Sequence, residues 1–325
     1  MKRIGLLLIF LCFVAACNKK EDQVVKEPTN SSQTLINACP TCNLPDTVWK
    51  ESGTGPKLIF KIKLDSTLQR LSNSGAIAPL TQGNGAQSPR FNSISVNYIE
   101  MVLDDFTKLG EGTVLYKAEE TDCRGSRAIV FCKEVLCKNG DSFFSIPLKD
   151  VRVGTYKWLR TSVAYQNYDV KIKTTSGGLM DGTVASFVGF NTYVDKFKMK
   201  NTVMTPTLNS GSNKMQGYWG FYTNIFGVDI RTEGQSVKTT VVNPNPNSPI
   251  PLGSSVFTGE FYRTSASGVQ PLTITGNEVQ DIIVTVSLST NKSFEWKELT
   301  FDGLFQPEIG ESVVDMGLRG MIPSY

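Results

Sequence analysis

The chain has 325 residues, 40% of them hydrophobic and 10% aromatic, with a formal net charge of +3 and no histidine. The missing imidazole excludes Ser-His-Asp hydrolysis, Cys-His proteolysis and His-based zinc sites, and leaves carboxylate-pair hydrolysis as the open enzymatic chemistry. No basic stripe or acidic block is present, so no nucleic-acid partner is expected.

The first segment carries an address. Lys2 and Arg3 precede the apolar run Ile4 to Phe13, and Val14-Ala15-Ala16 places small residues directly before Cys17. A basic start, a short apolar stretch and small residues at the cut make a secretory signal over residues 1–16. As a helix, Ile4 to Ala16 would be only about 20 Å long, against about 30 Å of bilayer hydrocarbon, so it is too short to span. Val14-Ala15-Ala16-Cys17 resembles the bacterial lipoprotein signal motif, with Val14 where leucine is commoner. The resemblance implies that Cys17 becomes the acylated N-terminus and that the membrane is reached through lipid. Each buried CH₂ contributes about 0.8 kcal/mol, so two or more acyl chains hold firmly. Lys20-Glu21-Asp22 resembles the lysine-plus-acidic signal of surface-exposed Bacteroidota lipoproteins. Asn18 is not the aspartate of an inner-membrane retention signal. The expected address is the outer membrane, with surface and periplasmic faces both open.

Residues 17–54 read as a flexible tether rich in Lys, Glu, Ser, Asn, Thr and Pro, with the globular body at 55–325. Once Cys12 leaves with the signal and Cys17 takes lipid, Cys39, Cys42, Cys123, Cys132 and Cys137 remain for an oxidising compartment. Five cysteines allow two disulfides and leave one thiol, with connectivity open. Cys39-Pro40-Thr41-Cys42 has CxxC spacing, but it follows a polar tract instead of a buried strand. Structural disulfides are the preferred reading over a redox site.

From Lys57 onward the patterns are those of strands. Runs rich in β-branched and aromatic residues occur at Leu58–Leu64, Phe91–Leu103, Thr113–Tyr116, Ala128–Phe131, Ser142–Leu148 and Thr155–Ile172. They continue at Thr183–Met199, Tyr218–Ile230, Ser236–Val242, Ser255–Tyr262 and Asp281–Leu288. Ser66–Ser72 could hold one helical turn, and Gly75–Gly85 reads as a surface loop without the ending of a phosphate loop. Many short strands separated by Gly, Asn, Pro and Asp predict a mostly-β chain and an antiparallel β-sandwich, either one extended sandwich or two packed β domains. The apolar-poor stretch 205–216 and the proline-rich stretch 243–251 are the candidate boundaries.

Three segments could carry chemistry or recognition. Glu298, Thr300, Asp302, Gly303 and Gln306 place oxygen ligands and a glycine at the spacing of a calcium loop, with Glu308 or Glu311 as the closing carboxylate. Calcium is the one cofactor this suggests; none is required. Tyr218-Trp219-Gly220-Phe221-Tyr222 is a dense aromatic run, and Tyr218, Trp219 and Tyr222 are candidates for stacking on a ligand. A strand buried on both faces would have the same composition. Tyr165-Gln166-Asn167-Tyr168-Asp169 mixes aromatics with amides, as a recognition surface or a strand end would.

The tract from Phe143 to Asp169, together with Val313-Val314-Asp315-Met316-Gly317-Leu318-Arg319-Gly320, resembles a group of Bacteroidota lipoproteins. This resemblance implies class and location and supplies no activity. The expected function is therefore non-catalytic: a lipid-anchored binding module for a glycan, protein or other extracellular ligand. A structural component of an outer-membrane assembly is the alternative, and a carboxylate-based hydrolase comes after it.

Overall fold

The computed structural model describes residues 39–50, 53–72, 76–236, 248–251, 253–266 and 268–325. Cys17 and the rest of the leader lie outside the described residues. The body is almost entirely β. Its main strands are β1 (Lys57–Asp65), β2 (Asn84–Gln87), β3 (Arg90–Val102), β4 (Thr113–Lys117), β5 (Ser142–Pro147) and β6 (Trp158–Lys173). They are followed by β7 (Leu179–Phe187), β8 (Tyr218–Ile225), β9 (Val228–Gln235), β10 (Ile282–Ser289), β11 (Phe294–Lys297), β12 (Val313–Met316) and β13 (Arg319–Ser324).

Two large sheets form a sandwich. One runs β9-β8-β7-β6-β3-β4; the other includes β13-β10-β1-β5, with β1 and β10 parallel. Leu58, Phe60 and Ile62 of β1 and Val284, Val286 and Leu288 of β10 share a core with Ile94, Ile99 and Met101 of β3 and Leu159 and Val163 of β6. The second sheet ends before the far half of β6. There a smaller sheet, β2-β11-β12, takes over as the facing layer. Tyr168, Val170 and Ile172 of β6 pack on Phe294 and Trp296 of β11.

One strand can serve both layers because its alternation changes phase. Pairing of β6 with β3 runs Ser162↔Tyr98, Val163↔Val96, Tyr165↔Ser95, so Asn97 and Ala164 are each skipped. A one-residue bulge moves every following side chain to the opposite face. Leu159 and Val163 point into the sandwich before it; Tyr168, Val170 and Ile172 do so after it. The carbonyl of Ala164 accepts from the amides of Val188 and Gly189, and that of Asn97 from the amide of Ala118, so both bulges are satisfied by neighbouring chain. Tyr165 falls on the outer face, in a separate core with Phe131, Phe187, Phe197 and Tyr218.

Several expectations are corrected. Tyr218–Ile230 is not one strand but a hairpin, turned at Phe226 and Gly227, both at positive φ (48° and 86°). The Asn224 side chain accepts from the Gly227 amide and closes the turn. Thr183–Met199 divides into the end of β7 and short strands at Asn191–Tyr193 and Phe197–Met199. Ser66–Ser72 is not helical; the Asp65 carboxylate accepts from the amides of Thr67 and Leu68. Most of Ser236–Val242 lies outside the described residues. Neither candidate boundary divides the body, which is one unit, Thr34–Tyr325. Lys214–Met215 pairs with Asn191–Thr192, and Arg127 donates to the Pro249 carbonyl.

Within the expected tether, 17–54, the described residues 39–50 are fixed to the body. Cys39 is bonded to Cys123 and Cys42 to Cys132, at sequence separations of 84 and 90. The CxxC cysteines thus bond to separate partners, each stapling the entering chain to the body. Closing one loop of this length removes about 4–5 kcal/mol of unfolded-chain entropy in the loop-entropy description, and the second bond, which closes only a short further loop once the first is made, removes less. Trp49 then packs on Tyr116 and Phe144, with ring centroids 5.5 and 5.0 Å away. Cys137 keeps its thiol; burial pushes its pKa up to about 12.

Beside this clamp, Glu134 is fully buried, with the Ser95 hydroxyl beside its carboxylate. Desolvation pushes its pKa up to about 8, and the Ser95 hydroxyl pulls the other way. A raised carboxyl pKa gives stability that is complete below the ordinary value of 4.5 and is lost as pH rises through about 8. At about 1.4 kcal/mol per unit the loss is on the order of a few kcal/mol. Glu134→Gln removes this dependence. Thermal melts from pH 4 to pH 9 are expected to show the variant gaining on the parent chain across that window, with the largest advantage above pH 8.

Candidate functional site

The aromatic run divides by strand alternation. Tyr218, Gly220 and Tyr222 of β8 face the outer core, where Tyr218 is buried and donates to Glu233. Tyr222 is half-buried and donates to Asp229 at 2.8 Å. Trp219 and Phe221 face the opposite way and line a cleft of about 470 Å³. Of the three stacking candidates, therefore, Trp219 is in the cleft, whereas Tyr218 and Tyr222 are tied to carboxylates behind it. Phe221 was missed, although its spacing of two residues from Trp219 was the signal that pairs them.

Glycines make room for these rings. Gly234 lies opposite Trp219 in the β8–β9 pairing, and a Cβ there would come within 2.5 Å of the indole. A Cβ at Gly182 would meet the Phe221 ring at 2.4 Å and Ile172 at 2.6 Å. Any larger residue at either position would lift a ring into the cleft. Val170, Ile172 and Val184 complete the floor, and Phe294, Phe305, Val313 and Met316 form the facing wall. The polar lining is sparse: Thr232, Gln235, Ser236 and Glu311.

The wall depends on the segment that resembles a calcium loop. Phe305 is fixed against β6 by a bridge to Ile172 and by its carbonyl, which accepts from the Lys173 amide at 2.8 Å. Glu311 reaches back across the loop and accepts from the amides of Leu299 (3.0 Å) and Gln306 (2.6 Å). Glu298 lies against Glu311, almost fully buried. Burial first, and the neighbouring Glu311 second, hold the Glu298 pKa above the ordinary carboxylate range.

The calcium candidates do come together, but as a hydrogen-bonded clasp. Thr300 donates to Glu298 at 3.3 Å, and the Gln306 amide donates to Thr300 (3.2 Å) and Asp302 (3.0 Å). Lys173 occupies the Asp302 carboxylate at 2.5 Å, where a cation would be needed. Among the described residues no group of three or more His, Cys, Asp or Glu side chains is arranged to hold a metal. Glu308 points elsewhere and accepts from the Thr175 amide. The Glu298–Glu311 contact also differs from the two-carboxylate geometry of glycoside hydrolysis, which needs about 5–10 Å between the carboxyls.

The other recognition candidate is structural. Tyr165 and Asn167 both donate to the Lys198 carbonyl, and Tyr168 donates to the Met316 carbonyl at 3.1 Å. Asp169 accepts from Thr183 and pairs with Arg90. In comparisons with known proteins, no family model, no curated protein and no solved structure matches the chain.

The acid pair makes the cleft wall sensitive to pH. With the folded Glu298 pKa raised, its contribution is complete below 4.5, the ordinary value, and is lost as pH rises through the raised one. Two adjacent carboxylates then repel, and the loop they hold loosens. Amide exchange at Leu299 and Gln306, corrected for intrinsic rate, is expected to lose protection with rising pH in the parent chain and to stay flat in Glu298→Gln.

Proposed function

We propose that the chain is a lipid-anchored protein of the outer envelope whose body binds an extracellular ligand in the aromatic cleft. The cleft carries this reading. It is large enough for a small ligand, mostly apolar, and has a few polar groups grouped near Glu311 and the end of β9. Trp219 and Phe221 present aromatic faces, which suit the apolar face of a sugar ring or a planar group. Glu311 is the single charged lining residue, so a hydrogen-bond donor on the ligand suits that end.

The binding role is tested with the neutral dye N-phenyl-1-naphthylamine, displaced by candidate glycans and amphiphiles. Saturable dye binding by the full chain is expected. Trp219→Ala should weaken it about tenfold, a loss of about 1.4 kcal/mol. Tyr222→Phe, behind the cleft, should leave it unchanged. Equal binding by the Trp219 variant would remove the cleft as the site.

The address is supported by Val14-Ala15-Ala16-Cys17 and the polar residues that follow. Mass spectrometry of the mature protein is expected to find acyl chains on Cys17, and Cys17→Ser should release the protein from the membrane fraction. An unmodified N-terminus counts against the anchor without touching the cleft.

A further inference from the structure

The strand at the open side of the cleft has a free edge. β9 pairs with β8 on one side and ends its sheet, and among the described residues no strand pairs with the other side. Val228 to Thr232 are exposed. The two-residue turn at Phe226 and Gly227 makes Ile225 and Val228 a hydrogen-bonded pair, and the pattern alternates from there. Ser236 donating to Gly217, eight residues along β9 from Val228, is in the same phase. Val228, Ile230, Thr232 and Gly234 therefore turn their backbone groups toward β8. Asp229, Arg231, Glu233 and Gln235 turn theirs outward, unpaired with any described strand.

We propose that this edge pairs antiparallel with β9 of a second copy of the chain, centred on Ile230. Outward groups must meet outward groups, so odd-numbered residues must face odd-numbered residues. Three registers satisfy this near the middle of the strand, and charge separates them. Centring on Arg231 sets the two arginines against each other and each Asp229 against Glu233. Centring on Thr232 sets Arg231 against Glu233, whose carboxylate is already taken by the amides of Thr207 and Leu208 and by the Tyr218 hydroxyl. Centring on Ile230 sets Asp229 of each copy against Arg231 of the other. Asp229 also accepts from Tyr222 and Asn224, but Asp229 and Arg231 are 41% and 44% exposed and already pair within one strand at 3.1 Å, whereas Glu233 is half-buried. The dimer closes them into a square of alternating charge.

The other face of the strand is complementary too. Ile230 meets Ile230, and Val228 meets Thr232 of the second copy. Ile230 is 40% exposed and Val228 64% exposed in the single chain. They share the face of Trp219 and Phe221, so the second copy extends the apolar surface at the mouth of the cleft. An exposed edge with apolar residues invites such pairing.

Cysteine cross-linking of the purified full chain tests both contact and register. Residues facing each other in a non-hydrogen-bonded antiparallel pair have Cα atoms about 4.5 Å apart, within disulfide range. Under mild oxidation Ile230→Cys is expected to give a covalent dimer above the background of the unsubstituted chain, and Thr232→Cys is not. Adding Arg231→Asp to Ile230→Cys should cut the dimer at least fivefold, and adding Asp229→Arg as well should restore it. Thermal melts establish that each variant is folded, and alternative substitutions at the same sites replace any that is not. The proposal is overturned by a monomeric Ile230→Cys chain, by stronger cross-linking through Thr232→Cys, by a dimer indifferent to Arg231→Asp, or by a charge swap that fails to restore it.

Discussion

The architecture depends on two facing bulges in the middle of the large sheet. Skipping Asn97 on β3 and Ala164 on β6 reverses the alternation of both strands together, which preserves their pairing while changing which residues face inward. Without that reversal, Tyr168, Val170 and Ile172 would point away from the sandwich. β6 would then have no apolar face for β11, and the small sheet that closes the fold would have no partner. The bulges persist because their carbonyls are used: three backbone amides from outside the β3–β6 pair converge on them.

The cleft follows from the same construction. β11 and β12 cover β6 and part of β7 but leave Trp219 and Phe221 of β8 only partly covered and Ile230 of β9 exposed. Sheet twist carries the outer strands progressively away from the facing layer. Two glycines, Gly182 and Gly234, then let Trp219 and Phe221 lie against the sheet instead of filling the gap. A buried carboxyl pair at the far wall is an expensive way to hold a loop. Its effect is to make the wall's stability depend on the protonation of Glu298, while the aromatic floor is held by packing alone.

The class of fold was readable from alternation and β-branched content, and β1, β3, β4 and β10 lie within a residue or so of their expected bounds. What escaped the sequence has definite physical causes. The β8–β9 hairpin lacks the Asn-Gly or Asp-Gly pair that marks a two-residue turn, because Phe226 takes the left-handed position and Asn224 stabilises it through its side chain. The apparent uniformity of Tyr218 to Tyr222 hid a two-sided strand, with a buried tyrosine behind and a tryptophan in front. Oxygen ligands at calcium-loop spacing were legible. The lysine that answers one of them, Lys173, is 129 residues away and could not be seen from the loop. Disulfide connectivity was similarly inaccessible, since Cys39 and Cys42 are separated from their partners by more than eighty residues.

The two ends of the sheet are not equivalent. The entering chain is tied near Cys123 and Cys132, and Tyr193 donates to the Pro40 carbonyl; Asn191–Tyr193 continues from the Phe187 end of β7. The Phe226–Gly227 turn lies beside the opposite end of β7, near Leu179, since Gly182 pairs with Thr223. A nine-residue strand separates these ends by about 30 Å. Any attachment through the N-terminus therefore acts on one end of the β7–β8 pair and leaves the hairpin tip at the other. Pulling on the entering chain loads the two disulfides and the core around Tyr193.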